Sequence, residues 1–213
     1  MKRVLTALIL GIMCVCLALA FAACGEQPQG QNTGDNGDTG NETSKNPIVR
    51  FTFNTGDVIT VELYPEEAPI SVANFLAYVR EGYYDNTVIH RVENYVVQGG
   101  GYVIKNYEYT PKGGTHDPIK GEFASNGVAN NVPHTAGAIS MARTTAPDSA
   151  TSQFFFCPVD MRSSWDGSYA AFGHVTDEES LAAIVRLSKT ETISGTTYPA
   201  YMLQIRSVVI VEE

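Results

Sequence analysis

Residues 47–213 predict a mainly β domain, a closed barrel whose two ends are covered by two α-helices. Two observations carry that expectation. The stretch breaks into many short apolar runs of strand length, bounded by Gly, Pro, Asn and Asp, and only two runs show helical spacing. It is also long enough to bury one well-formed core, and no internal repeat is visible in it.

Residues 49–53 and 58–63 alternate as strands around Asn54-Thr55-Gly56-Asp57, a turn-rich link that suggests a hairpin. Pro69-Ile70-Ser71 opens a helix, with Val72, Phe75, Leu76 and Val79 on one face and an end near Gly82. Residues 88–97 carry further strand character and run into the cluster Gly99-Gly100-Gly101. The stretch 99–136 is polar, contains Gly and Pro throughout, and reads as loops. Short strands are expected at 138–142, 153–157 and 170–175. A second helix is expected from about 178 to 189, where Leu181, Ile184, Val185 and Ser188 recur at helical spacing, and a final strand at 205–211.

Ahead of this domain the chain reads as an export and tethering segment. Lys2 and Arg3 precede an apolar run from Val4 to Ala23, which closes on small residues before Cys24. The run is long enough for an uncleaved transmembrane helix; it also fits a cleavable signal peptide over 1–23. The ending Phe21-Ala22-Ala23-Cys24 resembles a bacterial lipoprotein box, which implies lipidation of Cys24. Residues 24–46 then form a polar linker, and from Gly25 to Asn46 no apolar residue occurs. Nothing there offsets the entropy of ordering, so the linker is expected to act as a coil reaching about 25 Å. Either reading of the start puts the domain outside the cytoplasm, anchored to a membrane.

Composition excludes several roles. With 14 Lys and Arg against 23 Asp and Glu, the net charge is −9, which argues against gripping nucleic-acid phosphates. Four cysteines are too few for a disulfide scaffold. Cys14 and Cys16 lie in the apolar run and Cys24 is the proposed anchor, so Cys157 alone remains in the domain, expected as a buried inert thiol. His90, His116, His134 and His174 do not fall in zinc spacings, and no metal or cofactor site is expected. No nucleophile elbow or phosphate-cradling loop appears.

What remains is a set of polar residues set among apolar strand residues: Arg91, Gln98, and later Arg143 and Gln153 close to Phe154-Phe155-Phe156. Taken alone, they read equally as rim groups satisfied by backbone carbonyls or as donors facing an aromatic pocket. Phe154 and Phe156 alternate with Phe155 and are expected in the core.

At these residues the sequence resembles the cyclophilin family of peptidyl-prolyl cis-trans isomerases. Val88-Ile89-His90-Arg91-Val92 with Val97-Gln98-Gly99-Gly100-Gly101 is similar to the family's FHRxI…QGG block. Ser140-Met141-Ala142, then Ser149-Ala150-Thr151-Ser152-Gln153-Phe154-Phe155, resemble its SMAN and SQFF segments. Asp166-Gly167 with Phe172-Gly173 resembles its LDGxxxxFG segment, and Ala68-Pro69 with Asn74-Phe75 fits its AP…NF. Five blocks in order span nearly all of 47–213. The resemblance implies an eight-stranded antiparallel barrel capped by two helices, acting as a monomer without cofactor on proline-containing polypeptides.

It also implies roles. Arg91 would address the prolyl nitrogen, Gln98 would hold Arg91, and Phe155 would form the floor of the proline pocket together with Tyr95, Val96 and Met141, with Trp165 at its edge. Ala142 and Arg143 would offer backbone groups to an extended peptide, with Gln153 nearby and Tyr169 on the rim. The sequence departs from the family between Arg91 and Gln98, where it is one residue short and lacks the usual Pro-Gly turn, so that Tyr95 stands for a phenylalanine. Ser164 stands where many members carry tryptophan. The expected function is prolyl isomerisation in unfolded or partly folded exported proteins. The alternative is a peptide-binding, chaperone-like module of negligible catalysis on the same fold.

Overall fold

A computed structural model describes residues 46–213. The proposed signal peptide, Cys14, Cys16, Cys24 and all of the linker except Asn46 lie outside the described residues.

The first hairpin forms as its alternation dictates. β1 (Ile48–Phe53) and β2 (Val58–Leu63) pair antiparallel, and Val49, Phe51, Phe53, Ile59, Val61 and Leu63 are buried on one face. α1 (Pro69–Arg80) follows, with Pro69 in its first turn and Phe75 set against Phe51, Tyr84, Phe154 and Phe172. The run 88–97 is not one strand. It folds back on itself as β3 (Arg91–Glu93) and β4 (Val96–Gly99) around Asn94-Tyr95.

The polar stretch after β4, expected as loops, contains a second small sheet, β5 (Tyr102–Lys105) and β6 (Glu108–Pro111). Its two-residue turn, Asn106-Tyr107, has both φ angles positive, 51° and 65°, which suits the right-handed twist of the flanking strands. The cue was the β-favouring runs Tyr102-Val103-Ile104 and Tyr109-Thr110 on either side of Asn106-Tyr107, set among Lys105 and Glu108. The chain continues through β7 (Ala138–Met141), β8 (Phe154–Phe156), a four-residue helix α2 (Arg162–Trp165), β9 (Ala171–Val175), α3 (Glu178–Ser188) and β10 (Ile205–Glu212). Asp177 caps α3 by accepting from Ser180 N at 2.7 Å. The helix buries Ala183, Ile184 and Leu187, while Leu181 and Val185 are half-buried at its margin. Besides the two expected helices, then, a third short one, α2, forms.

Eight strands make one antiparallel sheet in the order β10-β1-β2-β9-β7-β8-β4-β3, curled around the phenylalanine-rich core. The expectation of a closed barrel is corrected here: the ladder is open between β3 and β10. Its edges are linked by the segment before β3, where consecutive amides donate to three different places. Val88 N bonds Tyr102 O, Ile89 N bonds Leu203 O, and His90 N bonds Gln98 O. An antiparallel ladder needs successive bonds to the same neighbour. Only an isolated bridge, Val88 to Gln204, therefore forms on that side.

α1 has no side-chain cap of its own, because Ala68 occupies the N-cap position. Glu122, 1% exposed, supplies one from the long loop. Its carboxylate accepts from Ile70 N at 2.9 Å, Ser71 N at 2.7 Å and the Ser71 hydroxyl at 2.6 Å. A negative charge against three donors at a helix N-terminus is favourable twice over, through the bonds and through the helix dipole. Glu122→Ala leaves those donors without partners and is expected to cost about 3 kcal/mol, read as a lower urea midpoint at unchanged slope. An unchanged midpoint would remove Glu122 from the stability of α1.

Candidate active site

Strand alternation assembles the site. Arg91 lies opposite Gln98, and Glu93 opposite Val96, across β3–β4; Gln98 lies opposite Phe155 across β4–β8. These side chains share the outer face, while Val92, Val97, Phe154 and Phe156 share the inner one. Gly100 lets the chain leave β4 close over its neighbour: φ is +83°, and a Cβ there would sit 2.8 Å from Ser152 O.

The outer face carries a cavity of about 260 Å³ lined by Arg91, Tyr95, Val96, Gln98, Ala142, Arg143, Phe155, Trp165 and Tyr169. That is smaller than the roughly 300–1,000 Å³ of pockets that enclose drug-sized ligands, and suits one compact ring. Phe155 is the aromatic centre. Trp165 meets it edge-on at 4.9 Å, Tyr169 at 5.7 Å, and Trp165 in turn meets Tyr95 at 6.1 Å. Ser164, the neighbour of Trp165 on α2, is exposed and outside the lining.

One residue expected in the proline pocket stands elsewhere. Met141 pairs with Phe154 and packs in the barrel interior, because Ser140, one residue earlier, occupies the outer face opposite Phe155. A one-residue offset in a strand exchanges faces. Gln153 lies near Ala142 and Arg143, with which it borders an adjoining recess, and its Oε1 accepts from Gln98 Nε2 at 3.0 Å. Ala142 lines the cavity, but its amide is already committed to Gln153 O at 3.0 Å. The Arg143 guanidinium is likewise occupied. It donates to Ser168 O at 2.7 Å and to Thr144 O at 2.9 Å, and stacks between Tyr169 and Phe123 with its carbon 4.6 and 4.9 Å from the ring centres. It clips the rim together.

Arg91 is held differently than expected. The contact from its Nη1 to Gln98 Oε1 is long, 3.5 Å. Its closest partner is Glu93, whose Oε1 lies 2.7 Å from Nε and 2.6 Å from Nη2. Tyr95 OH donates to Glu93 Oε2 at 2.5 Å. Although partial burial works against its charge, Glu93 is held below the usual carboxylate range by the Tyr95 and Arg91 hydrogen bonds and the Arg91 charge. Sequence reasoning passed over Glu93; the signal was its i+2 spacing from Arg91 on one strand face.

Two histidines are buried close to this site. His134, 1% exposed, stacks parallel to Phe155 and links Asp166 Oδ1 at 2.8 Å to the Ser140 hydroxyl at 3.0 Å. Burial lowers its pKa, against the pull of Asp166. Ser140 is fully buried, so this serine–histidine–aspartate chain faces no substrate and braces Phe155. His90 packs on Tyr102, its Nδ1 is without a partner, and burial takes its pKa down to about 4. In both, burial favours the neutral ring. Burial also pushes the Cys157 thiol up, which keeps it unreactive. Among the described residues no group of three or more His, Cys, Asp or Glu converges as metal ligands.

The family profile described as cyclophilin type peptidyl-prolyl cis-trans isomerase/CLD matches residues 48–210. A peptidyl-prolyl cis-trans isomerase of Acinetobacter baylyi is 45% identical over 135 residues, covering 61% of this chain and 66% of the relative. Peptidyl-prolyl cis-trans isomerase B of Escherichia coli is 45% identical over 114 residues, covering 53% and 63%. The matched stretches thus span a little under two thirds of those two proteins. A Cryptosporidium parvum cyclophilin, crystallised in the presence of the dipeptide Ala-Pro, superposes with a TM-score of 0.59 at 25% identity, over 78% of this chain and 99% of that one. With its profile matched from the first strand of the sheet to the last, the chain belongs to the cyclophilin-type peptidyl-prolyl cis-trans isomerase family.

Proposed function

We propose that the domain is a peptidyl-prolyl cis-trans isomerase that acts on proline-containing segments of exported proteins. The observation that carries this is the placement of the Arg91 guanidinium and Gln98 beside a cavity of single-ring size floored by Phe155. Rotation about an X–Pro bond is slow because the nitrogen lone pair is delocalised, with a barrier of about 18–20 kcal/mol. No covalent bond breaks, so neither a nucleophile nor a general acid is required. In the twisted state the nitrogen is pyramidal and can accept a hydrogen bond, and a fixed cationic donor beside it favours that state over the planar ones. In this assignment Arg91 is that donor and Gln98 steadies it from the opposite strand. Phe155, Val96, Tyr95 and Trp165 hold the proline ring, and Tyr169 and Arg143 shape the rim. The peptide lies along the recess towards Ala142 and Gln153.

The setting we propose is extracytoplasmic: a lipoprotein whose Cys24 is the anchor and whose residues 24–46 tether a monomeric domain to the membrane. Slow proline steps limit the folding of many exported chains, which suits an isomerase held there. Mass spectrometry of the mature N-terminus tests the anchor. A diacylglycerol-modified Cys24 is expected; an intact Met1 would replace it with an uncleaved membrane segment.

The activity is tested by cis-to-trans relaxation of a short Ala-Pro peptide. The protein is expected to accelerate it, and Arg91→Ala to lose about a hundred- to a thousandfold in kcat/KM, the range for one preorganised donor. A folded protein that binds the peptide without accelerating it would make the domain a binding module instead.

A further inference from the structure

The pairing of Arg91 with Glu93 has no counterpart among the roles assigned above. We infer that Glu93 is a positioning residue for Arg91, a carboxylate clamp that fixes the plane of the guanidinium before substrate arrives; the inference rests on the isomerase reading.

The geometry is specific. A guanidinium has two edges that can each meet a carboxylate or a substrate. Glu93 occupies the Nε/Nη2 edge through one oxygen, at 2.7 and 2.6 Å. Its other oxygen accepts from Tyr95 OH at 2.5 Å, so both carboxylate oxygens are engaged. Tyr95 also stands 3.4 Å from Nη2 and lines the cavity. Nη1 is left with a single long contact, 3.5 Å to Gln98 Oε1, on the side where Gln98 lines the same cavity. Arginine has many rotamers, and one frozen in advance loses little freedom when it meets a twisted prolyl bond.

The shortened β3–β4 connection makes this possible. With a two-residue turn at Asn94-Tyr95, Glu93 is the last residue of β3 on the outer face, and Tyr95, two positions on, reaches back to its carboxylate. Stability is a poor explanation for the pair. Its side chains are 40% and 26% exposed, and ion pairs so open to water add little to folding.

The test compares Glu93→Ala, Glu93→Gln and wild type in Ala-Pro peptide relaxation, with urea unfolding of each. Glu93→Ala is expected to lower kcat roughly ten- to a hundredfold with KM nearly unchanged and the unfolding midpoint held. Glu93→Gln keeps an acceptor at the same place and is expected to restore most of the loss. The Arg91 Nε–H resonance, protected from solvent exchange in wild type and exposed in Glu93→Ala, reports the clamp without reference to turnover. Unchanged or increased kcat in Glu93→Ala overturns the inference. So does a loss that follows KM alone. A wild type that fails to accelerate the peptide overturns the isomerase reading and the clamp's role in it together, and is told apart from the other failures by its own baseline.

Discussion

Neighbouring antiparallel strands must send opposite residues to the same side of the sheet, and in this domain that constraint separates the core from the chemistry. Across β3, β4, β8 and β7 it places Arg91, Gln98, Phe155 and Ser140 outside, and Val92, Val97, Phe154, Phe156, Ile139 and Met141 inside. One register error at β4 would bury Gln98 and expose Val97, so the packing of the core and the presentation of the site are a single choice. The tight phenylalanine cluster, with Phe51 set 5.3 Å from both Phe154 and Phe156, holds that register.

The same frame accounts for where polar groups are tolerated. Glu122 is buried because three donors at the start of α1 need an acceptor that Ala68 cannot offer. His134 is buried because Asp166 and Ser140 satisfy both its nitrogens while its ring stiffens Phe155. His90 keeps an unpartnered nitrogen in the segment where the barrel fails to close, next to Arg91. The irregular backbone of 88–90, with its amides split among three neighbours, is the flank from which β3 delivers Arg91 to the cavity.

Much of this was legible in the sequence, and its gaps have physical causes. The alternation of β1, β2 and Phe154-Phe155-Phe156, and the spacing of α1 and α3, follow from periods of two and 3.6. The residues gathered around the cavity follow mostly from the family's blocks, which carried Arg91, Gln98, Phe155 and Trp165 to one place. The resemblance implied a place for Met141 in the pocket, where its facing in β7 decides otherwise. The β5–β6 hairpin hid in a stretch set with Lys105 and Glu108, and barrel closure depends on backbone partners that no side-chain pattern encodes. Glu93 and Glu122 act through partners set by the fold: an outer strand face for one, a helix N-terminus some fifty residues away for the other.

The central claim is that a rigid, forked cation at position 91 lowers the rotation barrier, rather than positive charge alone. Exchange spectroscopy of an Ala-Pro peptide, with cis and trans signals resolved and Arg91→Lys compared with wild type, tests it most directly. Lysine retains the charge but presents a mobile point in place of the fork. The account predicts cis–trans exchange with the wild type that nearly disappears with Arg91→Lys, while the peptide still binds. Exchange of undiminished rate with lysine would contradict it.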